Sequence, residues 1–161
     1  MSTILPVAQR GEAVLTLIAA PVAEQEFGSI WLHALADALH ATMLERNGVG
    51  IAAPQVYISK RVIIAASRPN LRYPDAPEMD AVVMVNPEIL AYSETQILGE
   101  EGCLSVPDER GQVLRAEKIR VRFQSIDGTV LEHEFSGFPA RIVQHEVDHL
   151  NGVLFVERLS V

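Results

Sequence analysis

The sequence predicts an α+β fold: mostly antiparallel sheets around a central motif-bearing helix, with a long N-terminal helix. Three observations lead there. Residues 25–46 carry Ile30, Leu32, Leu35, Leu39, Met43 and Leu44 at helical spacing. Residues 118–135, "KIRVRFQSIDGTVLEHEF", alternate Ile119, Val121 and Phe123, break at Asp127-Gly128 and resume at Val130, the pattern of a β-hairpin. Pro139 suits the first turn of a helix running to about Leu150, and Gly152 its end, so the stretch "QHEVDH" (144–149) lies on that helix.

The elements between these follow in order. Asn47-Gly48 ends the first helix. "RVIIAA" (61–66) reads as a buried strand, and "AVVMVNPEIL" (81–90) as another interrupted at Asn86-Pro87. The proline-rich "SRPNLRYPDAP" between them is a loop. There is no internal repeat, low-complexity tract or charge block, so residues 1–161 read as a single domain, long enough to bury a substantial core.

A net charge of −8 argues against direct nucleic acid binding, because that affinity comes largely from Lys and Arg neutralising phosphates. No apolar run approaches the roughly 20 residues that span a bilayer, and the N-terminus lacks a signal peptide's arrangement. The expectation is a cytoplasmic protein away from membranes. With one cysteine, no intramolecular disulfide can form. Taken alone, Cys103 reads as a small buried hydrophobe; a functional Cys103 would be a thiolate nucleophile or a metal ligand.

His145 and His149 are four residues apart, so both imidazoles lie on one helix face and can reach one ion. Glu146 points roughly 100° away, poorly placed as a ligand but able to reach a water at the ion. Catalytic sites of this kind usually have three protein ligands. "GEEGCLSVP" (99–107) offers Cys103 as the third, and a Cys-His-His set suits zinc or iron(II) with one position open. "GVGIAAPQ" (48–55) adds two glycines that allow close backbone approach and, in Gln55, an amide donor. It lacks the lysine and spacing of a nucleotide loop. Asp148 shares the ligand face and suits an imidazole, an arginine such as Arg115, or a plain ion pair. His33, His40 and His133 have no evident partners; the first two fit a half-exposed helix and the third a hairpin edge.

Taken in order, "GVGIAAPQ", "EGCLS" and "QHEVDH" resemble the three motifs of the peptide deformylase family, with "VNP" (85–87) and "ILPV" (4–7) also similar. The likeness runs from Gly48 to His149. It implies a hydrolase that removes the formyl group from the N-terminal formylmethionine of nascent polypeptides, releasing formate. By this resemblance Cys103, His145 and His149 bind Fe2+, for which Zn2+, Ni2+ or Co2+ substitute. Glu146 is then the general base and acid, while Gln55 and the backbone N–H of Leu104 stabilise the oxyanion. Val49-Gly50 resembles the strand edge to which an extended peptide adds. Ile142 would wall an apolar methionine pocket, with Arg110 close by.

Two rival readings are open to test. A zinc peptidase of the "HExxH" type takes its third ligand downstream, where Glu157 is the candidate; the upstream cysteine favours the deformylase reading. An inactivated homologue would have lost its base or amide donor, and Glu146 and Gln55 are both present. Many relatives continue into a C-terminal helix that contacts the ribosome, whereas this chain stops soon after "LFVERL". The expected partners are formylated nascent peptides, met in transient ribosome proximity without that docking helix.

Overall fold

The structure, a computed structural model, describes residues 3–71 and 73–160. A five-stranded antiparallel sheet is built from β1 (Gly50–Ala52), β2 (Val62–Ser67), β3 (Met79–Tyr92), β6 (Lys118–Gln124) and β7 (Val130–Ser136), in that spatial order. Between β3 and β6 in sequence, β4 (Gln96–Cys103) and β5 (Val106–Ala116) form a separate two-stranded sheet. Helices α1 (Ile30–Glu45) and α2 (Phe138–Leu150) cover opposite faces of the large sheet.

Strand β2 explains this layering. Val62, Ile63, Ile64 and Ala65 are all buried, which a strand achieves only when both its faces are covered. Ile63 and Ala65 pack with Val143, Val147 and Leu150 of α2, while Val62 and Ile64 pack with Leu32, Leu35 and Leu39 of α1. A third cluster, Leu15, Cys103, Val106, Val113, Leu154 and Phe155, lies under the β4–β5 hairpin.

The predicted hairpin is present, with Val121 opposite His133 and a turn at Asp127-Gly128. Both helices end as their sequences suggest, through the same pair of bonds. At α1, Asn47 is left-handed (φ 56°), its N–H bonds Leu44 O and that of Gly48 bonds Met43 O. At α2, Gly152 (φ 76°) bonds His149 O and Val153 bonds Asp148 O. The first helix starts later than residue 25, at Ile30, where its apolar spacing begins. Ser29 caps it by accepting from Leu32 N, and residues 24–26 form a separate 3-10 turn. Ile30 is 90% exposed, so the core stripe is Leu32, Leu35, Ala36, Leu39 and Met43.

Asn86-Pro87 bends the predicted strand without ending it. Asn86 adopts a left-handed conformation (φ 51°) where the β3–β6 register shifts, and the strand continues to Tyr92. Its amide holds the kink: Oδ1 accepts from Val22 N at 2.8 Å, and Nδ2 donates to Val22 O at 3.0 Å and Gln124 Oε1 at 3.1 Å. Asn86→Gly removes these bonds while tolerating φ, and Asn86→Ala removes them and adds backbone strain. We expect urea unfolding to show Gly losing about 1–2 kcal/mol and Ala about 1 kcal/mol more; equal losses would show that φ at this position is not under strain.

Candidate active site

Three segments from distant parts of the chain meet beside α2. The helix places His145 and His149 on one face, ring centres 5.1 Å apart. The β4–β5 turn, Leu104-Ser105, brings Cys103 to the same point, with Sγ 3.4 Å from His149 Nε2. Ligand atoms of Cys103, His145 and His149 all lie within 4.8 Å of one another, and all three residues are nearly or fully buried. The 3-10 turn at Ala53–Val56, which follows β1, supplies Gln55. Its Oε1 accepts from Ala52 N at 2.9 Å, which turns Nε2 toward Ser105 Oγ at 3.0 Å and Cys103 Sγ at 3.6 Å.

Val49, Gly50, Gln55, Cys103, Leu104, Ile142, His145 and Glu146 line a common cleft. His149 sits behind it, 1% exposed. Arg110 flanks the cleft behind Gly102. Gly50 is constrained by close approach: a Cβ there would lie 2.5 Å from Glu146 Oε2 and 2.9 Å from Ile142 Cγ2. Glu157 accepts from Leu154 N at 2.8 Å, capping the last 3-10 turn, so it serves no downstream ligand role.

Glu101 and Arg141, which the motif reading missed, join Arg115 in a network that holds His145 in place. Glu101 Oε1 contacts His145 Nδ1 at 2.9 Å. An ionised carboxylate only accepts, so Nδ1 carries a proton and Nε2 is the nitrogen that faces the cluster, its lone pair free once the ring is neutral. Arg115 grips the same carboxylate with Nε at 2.8 Å and Nη2 at 2.9 Å, and Arg141 Nη1 donates to it at 2.8 Å. Arg115 Nη1 also donates to Asp148 Oδ2 at 2.6 Å, and Arg158 Nε reaches that oxygen at 2.6 Å. Of the partners that the sequence offered, Asp148 therefore holds an arginine, Arg115, together with Arg158, and no imidazole. The sequence does contain a signal for part of this: Arg141, His145 and His149 repeat every four residues on one face, and Glu101 lies beside the cysteine in "GEEGC".

The cluster's electrostatics follow from burial opposed by close partners. Burial disfavours the Glu101 anion, but the Arg115 and His145 hydrogen bonds win and hold its pKa well below the ordinary carboxylate range. Burial also opposes the Cys103 thiolate, and the neighbouring imidazoles of His149 and His145 override it, lowering the thiol's pKa strongly. For His145, burial lowers the pKa while hydrogen bonds to Cys103 and Glu101 raise it, and the net direction is up. Glu146 behaves differently. Burial pushes its carboxyl up to about 7, against the nearby imidazoles.

An α+β scaffold with a thiol and two imidazoles around one point, beside a buried carboxyl group, defines a metal-dependent hydrolase. The chain belongs to the polypeptide deformylase family, whose family model matches residues 4–161. It is 49% identical over 154 residues to "Peptide deformylase 2" of Shewanella oneidensis, spanning 96% of this chain and 83% of that protein. Among solved structures it is similar to the Met-Ala-Ser-bound class I type b peptide deformylase of Acinetobacter baumannii, with a TM-score of 0.97, 74% identity, and coverage of 99% of this chain and 100% of that one. Peptide deformylase from Thermotoga maritima superposes with a TM-score of 0.86 at 35% identity, covering 98% of this chain and 99% of that one. The activity is thus removal of the N-formyl group from the N-terminal formylmethionine of nascent polypeptides, with release of formate.

Glu101 is the only carboxylate bonded to Arg141 among the described residues, and it takes two of the three donors of the buried Arg115 fork. Glu101→Ala leaves Arg141 with only backbone carbonyls and part of the Arg115 fork without its carboxylate partner in the interior. The expected loss is about 3–5 kcal/mol of unfolding free energy by urea titration, with less residual stability below pH 5 to compare, because the native carboxylate's advantage fades as pH falls from its ordinary value of 4.5. A loss under 1 kcal/mol would contradict the structural role given to this group.

Proposed function

We propose that Cys103, His145 and His149 hold the catalytic divalent ion, iron(II) in the cell, with zinc, nickel or cobalt able to replace it. The observation that carries this reading is the approach of the three donors to within 4.8 Å around one buried point. One soft thiolate and two imidazoles suit iron(II) or zinc and leave a coordination position free. Two buried polar atoms without a hydrogen-bond partner, Glu146 Oε1 and His149 Nδ1, belong to the same cluster and support its being a working site. When bound, the ion supplies Lewis acidity toward the formyl carbonyl and a nucleophile at neutral pH.

The chain's own residues do the rest. Glu146, with a pKa near 7, takes the proton of the attacking water and returns it to the departing amine nitrogen. Gln55 Nε2, already oriented by Ala52, donates to the developing oxyanion together with the backbone N–H of Leu104. Strand β1 lies at the edge of its sheet, so Val49-Gly50 can pair with an extended peptide by main-chain bonds, a mode that tolerates many sequences. The methionine side chain enters beside Ile142, with Arg110 at the flank. The core clusters share elements throughout, which supports one catalytic domain over residues 1–161. No helix among the described residues is long and apolar enough to cross a membrane. The reading is of a cytoplasmic enzyme that acts on formylated nascent peptides, with a net charge of −8 that disfavours direct nucleic acid binding.

Purified without oxygen and loaded with iron(II) or nickel(II), the protein should deformylate a formyl-Met peptide; inactivity with both ions rejects this assignment. Glu146→Ala should keep its metal and lose about 10²–10⁴-fold in kcat. Gly50→Ala, which must displace the Glu146 carboxylate, should keep its metal and lose turnover in the same direction. Metal loading should also release protons, because His145 holds one above its ordinary pKa and must surrender it to ligate. Affinity should therefore rise with pH through the neutral range, and calorimetry in buffers of different ionisation enthalpy will register the release. A pH-independent affinity would remove His145 from the ligand set.

A further inference from the structure

The 3-10 turn Phe155–Arg158, which follows α2, touches the ligand cluster from outside the three motifs. Side chains three apart on such a turn eclipse, so Phe155 and Arg158 share one face. Both meet α2. The Phe155 ring, 1% exposed, stacks on that of His145, with centres 6.1 Å apart and planes tilted by 22°. Arg158 forks onto Asp148, with Nε 2.6 Å from Oδ2 and Nη2 3.1 Å from Oδ1. The turn is itself pinned to β5: Leu159 pairs with Val113, Ser160 N donates to Gln112 O at 2.8 Å, and Leu159 Cδ2 occupies the space that a side chain at Gly111 would need.

Arg158 is the outer end of an unbroken chain of charges. Asp148 Oδ2 also accepts from Arg115 Nη1 at 2.6 Å, Arg115 holds the two oxygens of Glu101 at 2.8 and 2.9 Å, and Glu101 Oε1 meets His145 Nδ1 at 2.9 Å. The sign alternates from Arg158 to Glu101, and side-chain exposure falls from 48% at Arg158 to 13% at Asp148, 5% at Arg115 and 4% at Glu101. Each inner member is held from both sides, by the group before it and the group after. Without Arg158, the Asp148 carboxylate keeps only Arg115 among the described residues, and its Oδ1 has no partner there. It is then free to turn toward water, and the far end of the Arg115 guanidinium loses its anchor.

Resting on the reading that Cys103, His145 and His149 hold the ion, we propose that Arg158 is a positioning residue for that cluster, acting through Asp148, Arg115 and Glu101 on the orientation of the His145 ring, whose face is backed by Phe155 of the same turn. Groups that hold a metal-ligating imidazole contribute to metal retention, because they fix the ring in the geometry the ion needs. A half-exposed ion pair, by contrast, contributes little to global stability. The two roles are therefore separable: loss of Arg158 loosens the ion without unfolding the protein.

The test loads wild type and variants with cobalt(II) in the absence of oxygen and follows release of the ion to excess chelator, the cobalt absorption bands and the urea midpoint. Arg158→Met should release cobalt about three- to tenfold faster, with shifted bands and a midpoint close to that of wild type. Arg158→Lys, which keeps the charge but not the fork, should fall between the two. In an Asp148→Asn background, Arg158→Met should change release by no more than about twofold, because its route to His145 is already broken. Wild-type release and bands in Arg158→Met would overturn the inference while leaving the ligand reading intact. Two other results would do the same: an equal effect of Arg158→Met in both backgrounds, or faster release matched by a proportionate fall in the midpoint, the mark of a purely structural role. A wild-type protein that takes up neither cobalt(II) nor nickel(II) would overturn the ligand reading and the inference with it.

Discussion

The Glu101 carboxylate is the interaction on which the site depends. It accepts from Arg115, Arg141 and His145 at 2.8–2.9 Å, tying β4 to β5 and both strands to α2 through a single buried anion. Such a charge is unfavourable in the interior unless its hydrogen-bonding capacity is filled, and here three donor groups fill it. The same contacts fix which His145 nitrogen is protonated and how the ring is turned. Orientation of the His145 ring and sheet-to-helix docking are therefore one interaction.

Around this anion the β4–β5 sheet is locked to α2 at further points. Arg141 also donates to Val113 O at 2.8 Å and Ile97 O at 2.7 Å, and the Gln144 amide bonds both Ala116 N and Ala116 O. These bonds satisfy backbone groups that the hairpin would otherwise leave unpaired against the helix. Their side chains come from the two turns of α2 that lead into His145. A shift of the hairpin that moved Cys103 would break them together, so the thiol's distance from the imidazoles is set by many groups.

Two carboxylates a few ångströms from the same histidine thus have opposite characters. Glu101, gripped by guanidinium groups, stays ionised; Glu146, buried with its Oε1 unpartnered, titrates at about 7. Environment separates a structural anion from a group able to hold and release a proton near neutral pH. Gly50 contributes by absence, since its missing side chain is the space that Glu146 occupies.

The sequence by itself determined what local chemistry controls. The spacing of His145 and His149 fixed a shared helix face, Asn47 and Gly152 marked the helix ends, and Asp127-Gly128 marked the hairpin turn. The three motifs were legible because their residues are adjacent or one helical turn apart. Tertiary structure decided the rest. Strands β4 and β5 lack a clean alternation, since Ile97, Leu98 and Leu114 face solvent while Glu101 and Arg115 are buried. That inversion makes sense only once the charges have met each other across the hairpin and α2. Tyr73 and Phe138 are 65 positions apart in a loop and at a helix start, and no local pattern announces their contact. Periodicity reports which face of an element is buried, but the partner that a buried charge or ring finds is settled by the path of the whole chain.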